Sequence, residues 1–138
     1  KTAGGKFVAP QKLENLFVTD PYIAQAFVFG DRERYCVALI RPNIERLVEH
    51  AKQHQLPHAS EQELVSAPAT QTLIWDRVQA LQHELPSFEH VKAVALLDRD
   101  LSQAAGELTP TMKAKRALIA SRYDALLRRL YDLPPPAR

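Results

Sequence analysis

The sequence predicts an α+β fold: a small three-stranded, mostly antiparallel sheet plus an N-terminal β-hairpin, covered by several helices. Three runs rich in β-branched and aromatic residues, at 22–29, 35–40 and 91–97, supply the strands. Apolar residues at helical spacing mark four longer stretches, and Asp20-Pro21, Gly30-Asp31 and Pro42-Asn43 separate the early elements.

Residues 1–8 carry the Gly4-Gly5 pair between residues that suit short strands, a tight hairpin or a loop. Pro10 fits the first turn of a helix, with Leu13, Leu16 and Phe17 as its apolar face. Asp20-Pro21 stops that helix, because a residue before proline avoids the helical region. The run 22–29 ends at Gly30, and the polar 30–34 leads into 35–40, so these two strands form an antiparallel hairpin. Pro42-Asn43 caps a helix with Ile44, Leu47, Val48 and Ala51 on one side. Residues 54–68 are polar, with a short helix near 61–65. A helix over about 70–84 is carried by Ile74, Val78, Leu81 and Leu85, and 91–97 is a third, almost continuously apolar strand. Residues 98–111 have no period, and a loop of that length is uncommon without a role of its own. One final helix runs to about 131 on a stripe of Ile119, Tyr123, Leu126, Leu127 and Leu130. Pro134-Pro135-Pro136 ends it.

The 138 residues make one domain, with 46% hydrophobic and 25% charged residues, as in globular chains rather than disordered ones. No apolar stretch approaches the ~18–20 residues needed to cross a bilayer. Cys36 is the only cysteine, so the chain has no internal disulfide and fits a reducing compartment, with the cytoplasm as the expected location. A net charge of +2 implies no broad nucleic-acid-binding surface. The chain opens on Lys1 in mid-sentence, with neither an initiator Met nor a signal peptide, and reads as a piece of something longer.

Three places suit chemistry. Lys1-Thr2-Ala3-Gly4-Gly5-Lys6 pairs a backbone that a ligand can approach with ammonium groups that suit anions. The plain alternative is a glycine turn with solvated lysines. In Gly106-Glu107-Leu108-Thr109-Pro110-Thr111-Met112-Lys113, a lysine at an expected helix start opposes the helix dipole unless an anion meets it. A surface lysine in water is the plain alternative. Between 107 and 131, six bases (Lys113, Lys115, Arg116, Arg122, Arg128, Arg129) outnumber two acids (Glu107, Asp124). That stretch suits either a basic nucleic-acid- or membrane-surface-binding module or an ordinary solvated helix face. His50, His54, His58, His83 and His90 lack partners at ligand spacing, so no metal site is expected. Cys36 and Trp75 read as core residues.

The first two places, taken with their separation, resemble the C-terminal domain of the AMP-forming adenylating enzymes, and most closely its long-chain fatty acyl-CoA synthetase branch. Residues 1–14 resemble the motif that opens that domain after the interdomain hinge. Residues 20–31 are similar to the hairpin that follows, and Glu107-Leu108-Thr109-Pro110-Thr111-Met112-Lys113-Ala114-Lys115-Arg116 to the late lysine motif. The resemblance implies a lid domain over 1–133, a proline-rich tail over 134–138, and a large N-terminal domain outside this chain. It implies a fatty acid–CoA ligase that forms acyl-AMP from a fatty acid and ATP with Mg2+, and then transfers the acyl group to CoA. These substrates are bound mainly by the N-terminal domain, with nothing tightly held by this piece, which alone is expected to be inactive.

Residue by residue, Lys113 falls at the adenylation lysine, which also contacts the nucleotide. Gly4 matches the glycine lining the pantetheine tunnel, with Gly5 adjacent, and Lys1 a lysine facing the adenylate in the second step. Many members carry Gly before the late lysine, where this chain has Met112, and Lys115 is a rival for the role of Lys113. The expected partners are the chain's own N-terminal domain, fatty acid, ATP and CoA, with no nucleic acid, and peripheral association of the whole enzyme with the inner face of the membrane.

Overall fold

Helix α1 (Pro10–Phe17) begins at its proline and buries Leu13 and Phe17 completely. Asp20 then forms the turn that launches the sheet. Its Oδ1 accepts from the Tyr22 N–H at 2.9 Å and its Oδ2 from Arg77 Nε at 2.7 Å. Strand β1 (Ile23–Phe29) pairs antiparallel with β2 (Cys36–Pro42). Helix α2 (Ile44–Gln53) is capped by Asn43 and α3 (Glu61–Ser66) by Ser60, each side chain accepting a first-turn N–H. Helix α4 (Pro68–Gln82) follows, then β3 (Val91–Leu96), α5 (Arg116–Arg122) and α6 (Asp124–Asp132). This computed structural model describes residues 1–57 and 60–132, so His58 and the proline stop at 134–136 lie outside the described residues.

The architecture is α+β, with sheet order β1-β2-β3. The sheet is mixed rather than mostly antiparallel, because β2 and β3 run parallel. Three helices between these strands return the chain to the end of the sheet where β2 began, and a crossover of that kind makes the next strand parallel. Gln82 anchors the return. Its amide donates to the Val91 carbonyl at 2.9 Å and accepts from the Val91 N–H at 2.8 Å.

Every residue of β2 is buried, since helices cover both faces of the sheet. Cys36, Ala38 and Ile40 pack into one core with α1 and α4, including Ile74, Trp75 and Val78. Val37 and Leu39 pack into the other with Ile119, Leu127 and Leu130. Two local expectations are corrected. The final helix is interrupted at Tyr123, where ψ turns to 23°, and this joint keeps Ile119 of α5 and Leu127 of α6 in one core. No strand forms over 1–8. The Ala3 N–H donates to Glu33 O at 2.9 Å and the Arg32 N–H to Lys1 O at 2.7 Å, so this segment closes as a turn that lies on the β1–β2 turn, without a strand ladder.

Candidate functional site

Lys113 does not stand at a helix start, as the sequence suggested; α5 begins at Arg116. It belongs to a tight hairpin. Leu108 and Ala114 form a β-bridge, the Thr109 N–H donates to Lys113 O at 2.8 Å, and the Met112 N–H donates to Thr109 O at 2.8 Å. The Lys113 N–H donates to Thr109 Oγ1 at 3.0 Å. This is a three-residue loop whose last position adopts the left-handed conformation, and a bulge of that kind re-aims the side chain that follows. Met112 occupies the left-handed position with φ 65°, where a non-glycine residue costs about 1–2 kcal/mol. Its side chain is 61% exposed, so this domain does not recover the cost by packing it.

The Lys113 side chain is exposed and has no protein partner among the described residues. It lines a cavity of about 530 Å³ between α1, β1 and its own turn, with Glu14, Gln25, Met112 and Arg116 among its neighbours. Lys115 does not line this cavity; its N–H donates to Glu107 O at 2.9 Å as the chain enters α5.

Two ion-paired carboxylates brace the turn from outside. Glu107 is fully buried and receives both Arg99 Nη1, at 2.9 Å, and Arg99 Nη2, with Arg122 at 3.2 Å and the Ser102 N–H at 3.2 Å. The Arg99 bonds hold its carboxyl down at about 2 against the burial that opposes them, with Ser102 and Arg122 adding to the effect. On the other side of the lysine, Arg116 makes a two-armed pair with Glu14 of α1, one arm at 2.7 Å, and donates to Val28 O at 2.9 Å. Gln25 adds a third tie, bonding both the N–H and the carbonyl of Leu101. Glu107, Arg116 and Arg122 were read from the sequence only as charges of a basic stretch, and Arg99, Glu14 and Gln25 were not singled out as their partners. Glu14 and Arg116 lie 102 positions apart, and a residue's spacing carries no sign of such a pairing.

The Gly4-Gly5 turn is closed by two backbone bonds, from the Thr2 N–H to Lys6 O at 2.9 Å and from the Gly5 N–H to Thr2 O at 3.0 Å. Gly5 needs to be glycine, with φ 80°. Gly4 does not: a methyl group there would meet nothing within 4 Å, and its φ is not in the left-handed region. The Lys1 stem passes beside Gly5, and its ammonium lies 5.0 Å from the centre of the exposed Phe7 ring. Lys1 and Thr2 line a separate cavity of about 340 Å³, which shares no residue with the one at Lys113. Lys1, Gly4 and Gly5 are thus neighbours, and Lys113 stands apart from them.

Trp75 and Cys36 are core residues, and burial pushes the Cys36 thiol up. Three of the six bases in the last stretch, Arg116, Arg122 and Arg128, pair with carboxylates. Among the described residues, no group of three or more His, Cys, Asp or Glu is arranged to hold a metal ion. Nor, among them, is any helix long and apolar enough to cross a membrane.

A family model described as the AMP-binding enzyme C-terminal domain matches residues 2–133. Long-chain-fatty-acid–CoA ligase 1 of Cavia porcellus is 32% identical over 96% of this chain and 19% of its own length. Long-chain-fatty-acid–CoA ligase FadD15 of Mycobacterium tuberculosis is 34% identical over 95% of this chain and 22% of its own length. The chain therefore spans about a fifth of the length of the curated relatives it matches. Among solved structures, the A-PCP didomain of carboxylic acid reductase from Segniliparus rugosus, in complex with AMP, superposes with TM-score 0.75 at 25% identity. That match covers 96% of this chain and 17% of the other.

Proposed function

The chain belongs to the AMP-binding enzyme C-terminal domain family, and from that premise we propose that it is the mobile lid of a long-chain fatty acid–CoA ligase. In this reading Lys113 serves the first half-reaction, while the Gly4-Gly5 turn with Lys1 serves the second. In the first, a fatty acid carboxylate oxygen attacks the α-phosphorus of ATP and pyrophosphate leaves, giving acyl-AMP. In the second, the CoA sulfur attacks the acyl carbon and AMP leaves.

The first step brings two anions together. A compact ammonium with three donors, carried in from outside, offsets that repulsion without having to be freed from an internal salt bridge. The observation that carries this reading is the state of Lys113: exposed, unpaired among the described residues, facing a cavity, and set on a turn braced on both sides. The second step needs a narrow thiol-bearing arm to pass close to the backbone. Gly4 suits that passage, since the fold itself has no use for a missing side chain there. ATP, its Mg2+ and the fatty acid fall mainly to the large N-terminal domain, with CoA passing between the two. Alone, this lid would bind none of them tightly and would be inactive. The whole enzyme would work in the cytoplasm, in peripheral contact with the inner face of the membrane.

The test is Lys113→Ala in the full-length enzyme, with each half-reaction followed separately. Acyl-AMP formation should fall ~10²–10³-fold, the scale for losing one preorganised charge donor. Thioester formation from supplied acyl-AMP should persist, and equal loss in both halves would refute the assignment. The rival reading, a basic docking module, predicts tight and steeply salt-dependent binding to DNA or anionic vesicles. The pairing of Arg116, Arg122 and Arg128 with carboxylates of this domain leaves it only three of the six bases in that stretch.

A further inference from the structure

Four large apolar side chains stand exposed in this domain among the described residues: Phe7, Val18, Phe88 and Met112. Two of them, Val18 and Met112, line the same cavity as Lys113. They reach it from different elements, Val18 from the C-cap of α1 and Met112 from the bulge of the lysine turn. Met112 also holds a left-handed backbone that glycine would adopt without strain, and its side chain is 61% exposed. A residue that strains the backbone and packs against little of its own domain is not explained by folding. Its use lies in what it meets when Lys113 engages.

We infer that Met112, with Val18, is an apolar seat that positions Lys113 by docking against the enzyme's own N-terminal domain, which makes up the rest of the length of the relatives this chain matches, during acyl-AMP formation. The inference rests on the function proposed above and deepens it. An ammonium approaching two anions has no preferred angle of its own. A thioether and an isopropyl group lining the same cavity exclude water when the domains meet and fix the approach in one orientation. The Lys113 backbone is already aimed by its bonds to Thr109, so the seat has only the side chain and the domain contact to set.

The experiment uses the full-length enzyme with Met112→Gly, Met112→Gln, Met112→Leu and Val18→Ser, alongside Lys113→Ala. Met112→Gly relieves the backbone and removes the side chain. Met112→Gln keeps the bulk and the strain but makes the seat polar, and Met112→Leu keeps it apolar. The glycine, glutamine and serine variants should slow acyl-AMP formation by roughly tenfold, the scale of losing one partly buried apolar side chain at an interface. Thioester formation from supplied acyl-AMP should stay at the wild-type rate, and Met112→Leu should match wild type in both halves. The melting temperature of Met112→Gly should not fall, which separates the effect from misfolding.

Wild-type adenylation by Met112→Gly and Met112→Gln would overturn the seat. So would equal loss in both half-reactions, or a loss in Met112→Leu as large as in Met112→Gly. If Lys113→Ala loses only the first half while the Met112 variants are normal, the seat fails and the function stands. If Lys113→Ala loses both halves equally, the function itself fails.

Discussion

The Lys113 turn and the Gly4-Gly5 turn are both tight, both exposed and both carry lysines, yet they are held in different ways. The Lys113 turn has a β-bridge at its base, a threonine hydroxyl under its lysine, and buried or half-buried carboxylates paired to arginine before and after it. The Gly4-Gly5 turn has two backbone bonds of its own and two more to the β1–β2 turn, and the ion pair between Lys1 and Asp31 is an exposed one, not a buried brace. The difference suits the two tasks proposed for these turns. A charge that must meet a reacting centre at one angle needs a stiff mount, whereas a passage for a flexible arm needs an absence of side chains more than stiffness.

The comparison breaks most visibly at Glu107. Replacing it with Gln should destabilise the domain by about 3 kcal/mol, since Arg99 and Arg122 lose a buried charged acceptor. Chemical denaturation of the variant measures this. The same group sets an acid limit. Its carboxyl sits at about 2 when folded, below the ordinary 4.5, so its contribution is present in full above pH 4.5. That contribution, on the order of 3 kcal/mol, should drain away as pH falls from 4.5 towards 2, and Glu107→Gln should flatten that part of the stability curve.

Arg116→Ala should cost about 2 kcal/mol, the scale for hydrogen bonds to a charged partner, and Arg116→Lys should not restore it, because lysine cannot reproduce the two-armed contact with Glu14. Smaller still is the contrast inside the other turn. Gly5→Ala should cost about 1 kcal/mol for its positive φ, and Gly4→Ala almost nothing, as read by thermal melting. A matching loss at both glycines would mean that Gly4 has a structural duty after all.

Most of the scaffold could be read from local chemistry. Pro10, Asp20-Pro21 and Asn43 act within a few residues of themselves, so their effect on α1, β1 and α2 is written where it occurs. The direction of β3 was not, because it depends on where a long helical crossover returns the chain. The joint at Tyr123 was hidden for a similar reason. The apolar stripe stays continuous while the backbone bends to keep both halves on one core. For the candidate site, the lysine and the glycines were legible as residue types. The mount was not: Glu107, Arg99, Arg116 and Glu14 look like surface charges until the fold brings them together. Met112 looked like a spelling variant of a glycine position, and only its backbone angle shows that it is held there against a cost.

The sharpest measurement is a pair of half-reaction rates on two variants of the full-length enzyme, Lys113→Ala and Gly4→Val. The account predicts opposite patterns. Lys113→Ala should lose acyl-AMP formation and keep thioester formation from supplied acyl-AMP. Gly4→Val should keep the first and lose the second by on the order of a hundredfold, as a misplaced thiol would. Parallel losses in both variants, or normal thioester formation in Gly4→Val, would contradict the assignment of the two turns to two steps.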